Sequence, residues 1–512
     1  MKQHVIVVVC FVWFATMLEV GAMGVEISPG SAVASLNGSA TFTAKLRGAV
    51  LPVTYLWHHG GVPIDLATNP TAGQMRLVVS GITGVDAGEY SVLVTDQVGV
   101  VMSEPAQLSV DGTFRKVTEG VLVEDVEPST GCIWGDADGD GDLDVFVTNS
   151  GGQYPNSLYE NLGGGEFRRV DTVVDDLPAH WTWSGAWADV DNDGDLDLFV
   201  MHPSGSSFGS SMGLALYRND GGWNFVAVRS VLTTINRLWT DLALVDFDRD
   251  GWLDVFATTQ SVVGGAFDGN SFFHGLGNGD FGAWTAAEVG AVLAVVSKTA
   301  GAMWCDVDLD GDMDLYVSKY DGARNYLYRN DGGRLSAVTA GSLPASRSTW
   351  GAAWVDVNGD GLFDLVTGGE SGTNSLHLNR GDWVFEDVTV ESGFELSGSV
   401  YNFAVGDYDN DGDTDIYVPV YDGLDAMFVN RGDGVFDRVD VGSPLTEAQK
   451  NSAVWVDFDG DGLLDLSMAC GDVQPMKNLL FRNGLGGGAM GTTGSSSSWL
   501  AVNPMHRRLG RG

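Results

Sequence analysis

From about residue 113 onward the apolar and polar positions of the chain repeat one unit. A short apolar segment leads in, such as Gly185-Ala186-Trp187-Ala188, Gly351-Ala352-Ala353-Trp354 or Ser452-Ala453-Val454-Trp455. A tight acidic turn follows, and then a β-branched and aromatic run such as Val145-Phe146-Val147 or Ile416-Tyr417-Val418. A third apolar segment ends in Asn, as in Tyr326-Leu327-Tyr328-Arg329-Asn330, and a Gly-rich turn leads to a fourth, such as Val435-Phe436-Asp437-Arg438-Val439. Short runs of this kind, separated by turn residues and lacking helical periodicity, predict β-strands. The acidic turn reads D-x-[DN]-x-D-G-x-x-D and begins at Asp136, Asp189, Asp246, Asp306, Asp356, Asp407 and Asp457, with spacings of 53, 57, 60, 50, 51 and 50 residues. That period is the length of one four-stranded propeller blade, so 113–484 is predicted to be a seven-bladed β-propeller.

The seventh copy lacks a fourth strand, because Gly484-Leu485-Gly486-Gly487-Gly488 follows Asn483 directly. Thr113-Phe114-Arg115-Lys116-Val117-Thr118, ahead of the first copy, fits the missing strand and is expected to complete the seventh blade. Closure of this kind removes the exposed edges of an open sheet. Ahead of it, 25–110 forms another all-β pattern: Gly38–Ala44 and Tyr55-Leu56-Trp57 read as strands, and Asp86-Ala87-Gly88-Glu89-Tyr90-Ser91-Val92 comes near its end. This resembles an immunoglobulin-like β-sandwich, with Trp57 at the place of the family's core Trp and Tyr90 at that of its corner tyrosine. The family's two cysteines are absent, and Ala44 and Val92 stand in their places. The expected fold class is therefore all-β, a seven-bladed β-propeller preceded by an immunoglobulin-like sandwich.

The two ends read differently. Lys2 and His4 precede an apolar run from Val5 to Leu18, and Ala22-Met23-Gly24 offers a cleavage site, so 1–24 is expected to be a signal peptide. The run is short for a membrane span, and no second stretch is long enough, which predicts a secreted protein without a span after signal removal. The tail 485–512 is Gly/Ser-rich, and its Trp499-Leu500-Ala501-Val502 resembles the opening of the ASPIC/UnbV module, of which only a vestige is present.

Charge sharpens this picture. The chain has 68 acidic and 27 basic residues, a net charge of −41, which repels nucleic acid and attracts cations. Of the acidic residues, 31 are aspartates in the seven turns. Positions 1, 3 and 5 of such a loop can point inward together, and the Gly at position 6 lets the chain turn sharply. The carbonyl of residue 7 and the carboxylate at 9 then close an all-oxygen shell of the kind calcium takes. Carboxylates crowded this closely repel one another unless a cation lies between them. Position 7 varies from Asp142 to Trp252 to Leu463, as suits a backbone ligand, whereas position 6 is Gly in every copy. An EF-hand is excluded, since no Glu stands at position 12 and a strand follows.

These residues resemble the FG-GAP/VCBS repeats of integrin α-subunit propellers and of many secreted bacterial proteins. The resemblance implies calcium, up to seven structural ions, between the first two strands of each blade. Its ligands carry over to Asp136, Asp138, Asp140 and Asp144; Asp189, Asp191, Asp193 and Asp197; Asp246, Asp248, Asp250 and Asp254; Asp306, Asp308, Asp310 and Asp314; Asp356, Asn358, Asp360 and Asp364; Asp407, Asp409, Asp411 and Asp415; Asp457, Asp459, Asp461 and Asp465. The fifth loop, with Asn358 at position 3 and Leu362 at 7, is expected to be the weakest site.

Other motifs add little. Arg380-Gly381-Asp382 and Arg431-Gly432-Asp433 fall at the same repeat position, the turn after the third strand, and turn chemistry accounts for them. Gly205-Ser206-Ser207-Phe208-Gly209 matches a nucleophile elbow but has no following helix. Cys132, Cys305 and Cys470 are an odd number in apolar runs, which reads as buried small residues. Asn37-Gly38-Ser39 is a sequon. The expected function is extracellular binding or adhesion toward a protein or glycan ligand, without catalysis, and Pro203–Gly213 is a recognition-loop candidate. The alternatives are a calcium-stabilised propeller enzyme acting on extracellular polysaccharide, and a structural surface or matrix protein.

Overall fold

The computed structural model describes residues 23–484 apart from short stretches, the longest being 175–181, 203–212 and 443–449. The leader, all but its last two residues, the Ser/Gly-rich insertion with its elbow motif, and the tail lie outside the described residues. Strands dominate; helices such as Val121–Glu124 and Ala286–Val289 are single turns. No helix among the described residues is long and apolar enough to cross a membrane. The chain divides into two compact units, one running to Ala32 and from Ser39 to Val110, the other comprising Val33–Gly38 and the chain from Asp111 onward.

In the first unit Gly24–Ser28, Ser39–Arg47 and Arg76–Ser80 form one antiparallel sheet. Thr54–His59 pairs with Gly88–Thr95 in the other, and Gly88–Tyr90 pairs with Ala106–Leu108. Alternate residues of Ser39–Arg47 and of Gly88–Thr95 are buried, as a sheet with one face on a core requires. Phe42 lies 6.4 Å from Trp57 and 5.2 Å from Tyr90, ring centroid to centroid, so the inner faces of the two sheets meet through these rings. Both polar handles are engaged: Trp57 Nε1 donates to Gln74 O at 2.9 Å, and Tyr90 Oη to Asp86 O at 2.9 Å. Ala44 and Val92 are buried as well.

In the second unit the repeat becomes a series of four-stranded antiparallel sheets, an arrangement consistent with a β-propeller. Sheet 1 consists of Ser129–Gly135, Asp144–Asn149, Ser157–Asn161 and Phe167–Arg169. Sheets 2 to 6 repeat it within 184–228, 239–283, 299–337, 349–387 and 404–439. The last set, sheet 7, holds Lys450–Val456, Asp465–Cys470 and Leu479–Asn483. Its fourth partner is the segment expected from the sequence: Phe114, Arg115 and Lys116 pair with Asn483, Arg482 and Phe481.

The second strands, such as Asp144–Asn149, are buried at every position because neighbouring sheets cover both faces, which is why they read as unbroken apolar runs. Tryptophans of the first strands fill the gaps between sheets. Trp187 packs with Ala137 and Phe146 of sheet 1, and Trp134 stacks on Phe458 of sheet 7 at 6.4 Å. Each such ring removes on the order of 200 Å² from water, about 5 kcal/mol of hydrophobic stabilisation before the entropy of ordering it. Cys132, Cys305 and Cys470 are buried and unbridged.

Candidate metal-binding loops

Each acidic motif forms the hairpin between the first and second strands of its sheet, here loops 1 to 7. The loop conformation follows from its residues. Position 6 is Gly with φ between 87° and 99° in all seven copies. No atom crowds the place of a Cβ there except the arginine beside Gly311, so backbone conformation is what demands glycine. Position 4 is also left-handed in every copy, a feature the sequence reading missed although Gly or Asn occupies five of them. Arg249 and Leu309 adopt it at φ 64° and 59°, a strain of about 1 kcal/mol each.

Backbone N–H groups hold the carboxylates in place. The position-6 amide donates to the position-1 carboxylate in every loop, for example Gly311 N to Asp306 Oδ2 at 3.1 Å. The position-7 amide donates to position 5, as from Asp312 N to Asp310 Oδ1 at 2.9 Å. Position 9 starts the second strand and is fully buried. Asp314 Oδ1 accepts from Asn330 N at 2.8 Å and its Oδ2 from Val307 N at 2.9 Å. Position 9 thus ties its loop to the end of the third strand.

Positions 1, 3 and 9 bring three carboxylate oxygens within 4.8 Å of one another in loops 1, 2, 4 and 6. In loop 3 the grouping is Asp248, Asp250 and His274, whose Nε2 lies 3.1 Å from Asp250 Oδ2. Position 5 is exposed in all seven loops. The position-7 side chain of loop 4 is engaged elsewhere: Asp312 Oδ2 accepts from Gly332 N at 3.0 Å, and its Oδ1 lies 2.6 Å from Arg249 Nη2. In loop 5, Asn358 Nδ2 donates to Asp360 Oδ2 at 3.0 Å.

Several of these oxygens are buried without a hydrogen-bond donor: Oδ1 of Asp136, Asp246 and Asp306 at position 1, Oδ1 of Asp191, Asp308, Asp409 and Asp459 at position 3, and Asp465 Oδ2 at position 9. Buried carboxylate oxygens without partners are costly. Burial first, and then neighbouring carboxylates, pushes position 9 up to about 7 in loops 1 to 6 and up to about 9 for Asp465, against backbone hydrogen bonds that oppose the shift. Convergent, partnerless, all-oxygen donors fit a hard divalent cation such as calcium, which the carboxylates at positions 1, 3 and 9 would hold.

Two sets of asparagines tie the sheets together. The Asn that ends each third strand, except in sheet 3, where Gly275 stands, was visible in sequence, but not its task. Asn430 Nδ2 donates to Thr414 O in its own loop at 3.2 Å and to Val357 O in loop 5 at 2.7 Å. Asn161 Nδ2 likewise reaches Phe458 O of loop 7 at 2.8 Å, joining the first sheet to the last. A second Asn, just before the third strand, went unread. Asn325 Oδ1 accepts from Lys319 N and its Nδ2 donates to Thr349 Oγ1 of the next sheet. In sheet 6 Asp425 takes this place, and Lys450 Nζ of sheet 7 meets it at 2.5 Å, both fully buried. The arginines of both Arg-Gly-Asp turns pair with an acid of the following strand, Arg380 with Glu386 and Arg431 with Asp437.

Comparisons with known proteins agree with the repeat. Residues 136–200, 206–257, 306–367 and 356–418 match the FG-GAP-like repeat, which takes in loops 1 to 6. Cartilage acidic protein 1 of Mus musculus is 24% identical over 239 residues, 44% of this chain and 34% of that protein. Cartilage acidic protein 1 of Homo sapiens is 28% identical over 154 residues, 28% of this chain and 22% of that protein. Among solved structures, Saccharomyces cerevisiae Sqt1 covers 78% of this chain and 91% of its own at 10% identity, with a TM-score of 0.42. The chain therefore carries FG-GAP-like repeats and spans about a third or less of the length of the curated relatives it matches.

Proposed function

We propose that this protein is an extracellular, calcium-binding, seven-bladed β-propeller with an immunoglobulin-like sandwich, and that it acts by binding a protein or glycan ligand rather than by catalysis. The observation that carries the calcium reading is the set of buried carboxylate oxygens without donors, repeated at equivalent positions around the sheets. Contacts between sheets 1 and 7, from Asn161 to Phe458 and from Arg482 to Gly164, support a closed ring. The apolar leader supports export, and an acidic relative named for cartilage fits the extracellular setting. Calcium is structural in this reading, because each loop joins two strands of one sheet, with affinity of roughly 10⁻⁴–10⁻³ M as in extracellular modules.

Calcium titration of the full chain followed by thermal melting tests the reading. Saturable uptake with a rise in the melting temperature is expected, and no uptake at millimolar calcium refutes it. A glycan array read with and without calcium tests the second half. Retention without product favours binding, and release of cleaved sugar favours an enzyme.

A further inference from the structure

The seven loops share one motif, but not the side chain that stands over it. The residue just before the end of each third strand is Glu160, Arg218, His274, Arg329, Leu378, Val429 and Arg482 in turn. The charged and imidazole side chains act on loop carboxylates, whereas Leu378 and Val429 pack with apolar clusters. Loops 4 and 6 form a natural pair for comparison. Both carry Asp at positions 1, 3, 5, 7 and 9. Over loop 4, Arg329 Nε lies 3.5 Å from Asp308 Oδ2 and its Nη2 3.5 Å from Asp310 Oδ2. Over loop 6 the same place holds the uncharged Val429.

Loop 7 also has an arginine at its rim. Arg482 Nη1 lies 3.1 Å from Asp459 Oδ2, and its guanidinium is held from outside the loop. Nη2 donates to Gly164 O at 2.8 Å, and the group sits 5.5 Å from the centre of the Phe458 ring. Both Arg218 and Arg329 are also held by an acid of the following turn, Arg218 by Asp220 through Nε and Nη2 and Arg329 by Asp331, whose Oδ1 lies 2.9 Å from its Nε. Of these two, only Arg329 also lies within 4 Å of its loop's carboxylates. Loops 4 and 7 still hold oxygens with no donor, at Asp306, Asp308, Asp459 and the fully buried Asp465. Arginine therefore neutralises the rim of each loop without filling its interior.

We propose that this third-strand residue sets how tightly each loop holds its cation, with Arg329 and Arg482 acting as tethered counter-ions that make loops 4 and 7 the last to fill. The inference rests on the calcium reading above and adds a ranking to it. A fixed positive charge within a few ångströms of the ion, partly screened by solvent, weakens binding by roughly fivefold to tenfold. Charge alone at positions 1 to 9 ranks loop 5 lowest; the third-strand residue places loops 4 and 7 beside it.

The test is a calcium titration of the full chain against a chromophoric chelator, for the wild type, Arg329→Val and Val429→Arg. Arg329→Val gives loop 4 the residue of loop 6, and one equivalent is expected to leave the weak class and tighten roughly fivefold to tenfold. Val429→Arg is expected to move one equivalent the other way, while sodium chloride narrows both differences. Unchanged classes in both variants, with the wild type still binding calcium, overturn the ranking alone. A wild type that binds no calcium overturns the calcium reading as well. Should Arg329→Val fail to fold, Arg482→Gln and Val429→Arg carry the same comparison.

Discussion

In the first unit the buried centre is Phe42, Trp57 and Tyr90, and its polar atoms are paired within the chain, Trp57 Nε1 to Gln74 O and Tyr90 Oη to Asp86 O. In the second unit every sheet buries an aspartate at the mouth of its acidic loop, and in six of the seven loops, loop 5 being the exception, a buried carboxylate oxygen has no donor. The sandwich is complete as a set of side chains. The repeated sheets are complete as a set of strands but gather carboxylates at one hairpin of each, and arginines meet only the rims of some of them. The calcium reading proposed above therefore bears on the stability of the second unit and not on that of the first.

Chelation gives the sharpest contrast. At free calcium several times the dissociation constant, each filled loop adds on the order of 1 kcal/mol, so seven loops add several. Calorimetry in EDTA is expected to shift the transition of the second unit down and leave that of the first in place; equal shifts in both would break the contrast. Conversely, Trp57→Ala empties the centre of the sandwich and is expected to cost about 3–5 kcal/mol. That loss should be the same with and without calcium.

Asn430→Ala removes donors to two loops at once and leaves Val357 O and Thr414 O unpaired. About 2–3 kcal/mol is expected from the second unit's transition, measured in saturating calcium. Tyr90→Phe deletes one hydrogen bond of the first unit and should cost about 1 kcal/mol by denaturant melts.

The pH dependence of the metal-free protein separates the units without mutation. The position-9 carboxyls of loops 1 to 6 are raised to about 7 from the ordinary 3.8, chiefly by burial. Between about pH 4 and 7 the folded chain holds protons that the unfolded chain has released, so stability is lost as pH rises through that window. In EDTA the second unit should melt lower at pH 8 than at pH 5. In the calcium reading the ion replaces those protons and should abolish the fall, whereas a fall that persists in saturating calcium would sink this account.

Much of this was legible in the chain because it is local. The ligands of a loop lie within nine residues, and each repeat carries its own turn, apolar runs and terminal Asn. Trp57 and Tyr90 were singled out by resemblance to the immunoglobulin-like sandwich, and both are buried. Position 4 of the loops was legible as well, through the Gly and Asn that favour its left-handed backbone, but that signal went unread.

What the sequence by itself determined is the all-β repeat, the acidic hairpins and the strand before the first copy that completes the last sheet. Tertiary structure alone decided which charges meet. Arg329 reaches Asp308 only because strand register places it over the hairpin, and Asp425 meets Lys450 only because sheet 6 packs against sheet 7. Sequence spacing records the order of residues, whereas electrostatic energy depends on distance in space. Packing of strand on strand and sheet on sheet converts the one into the other.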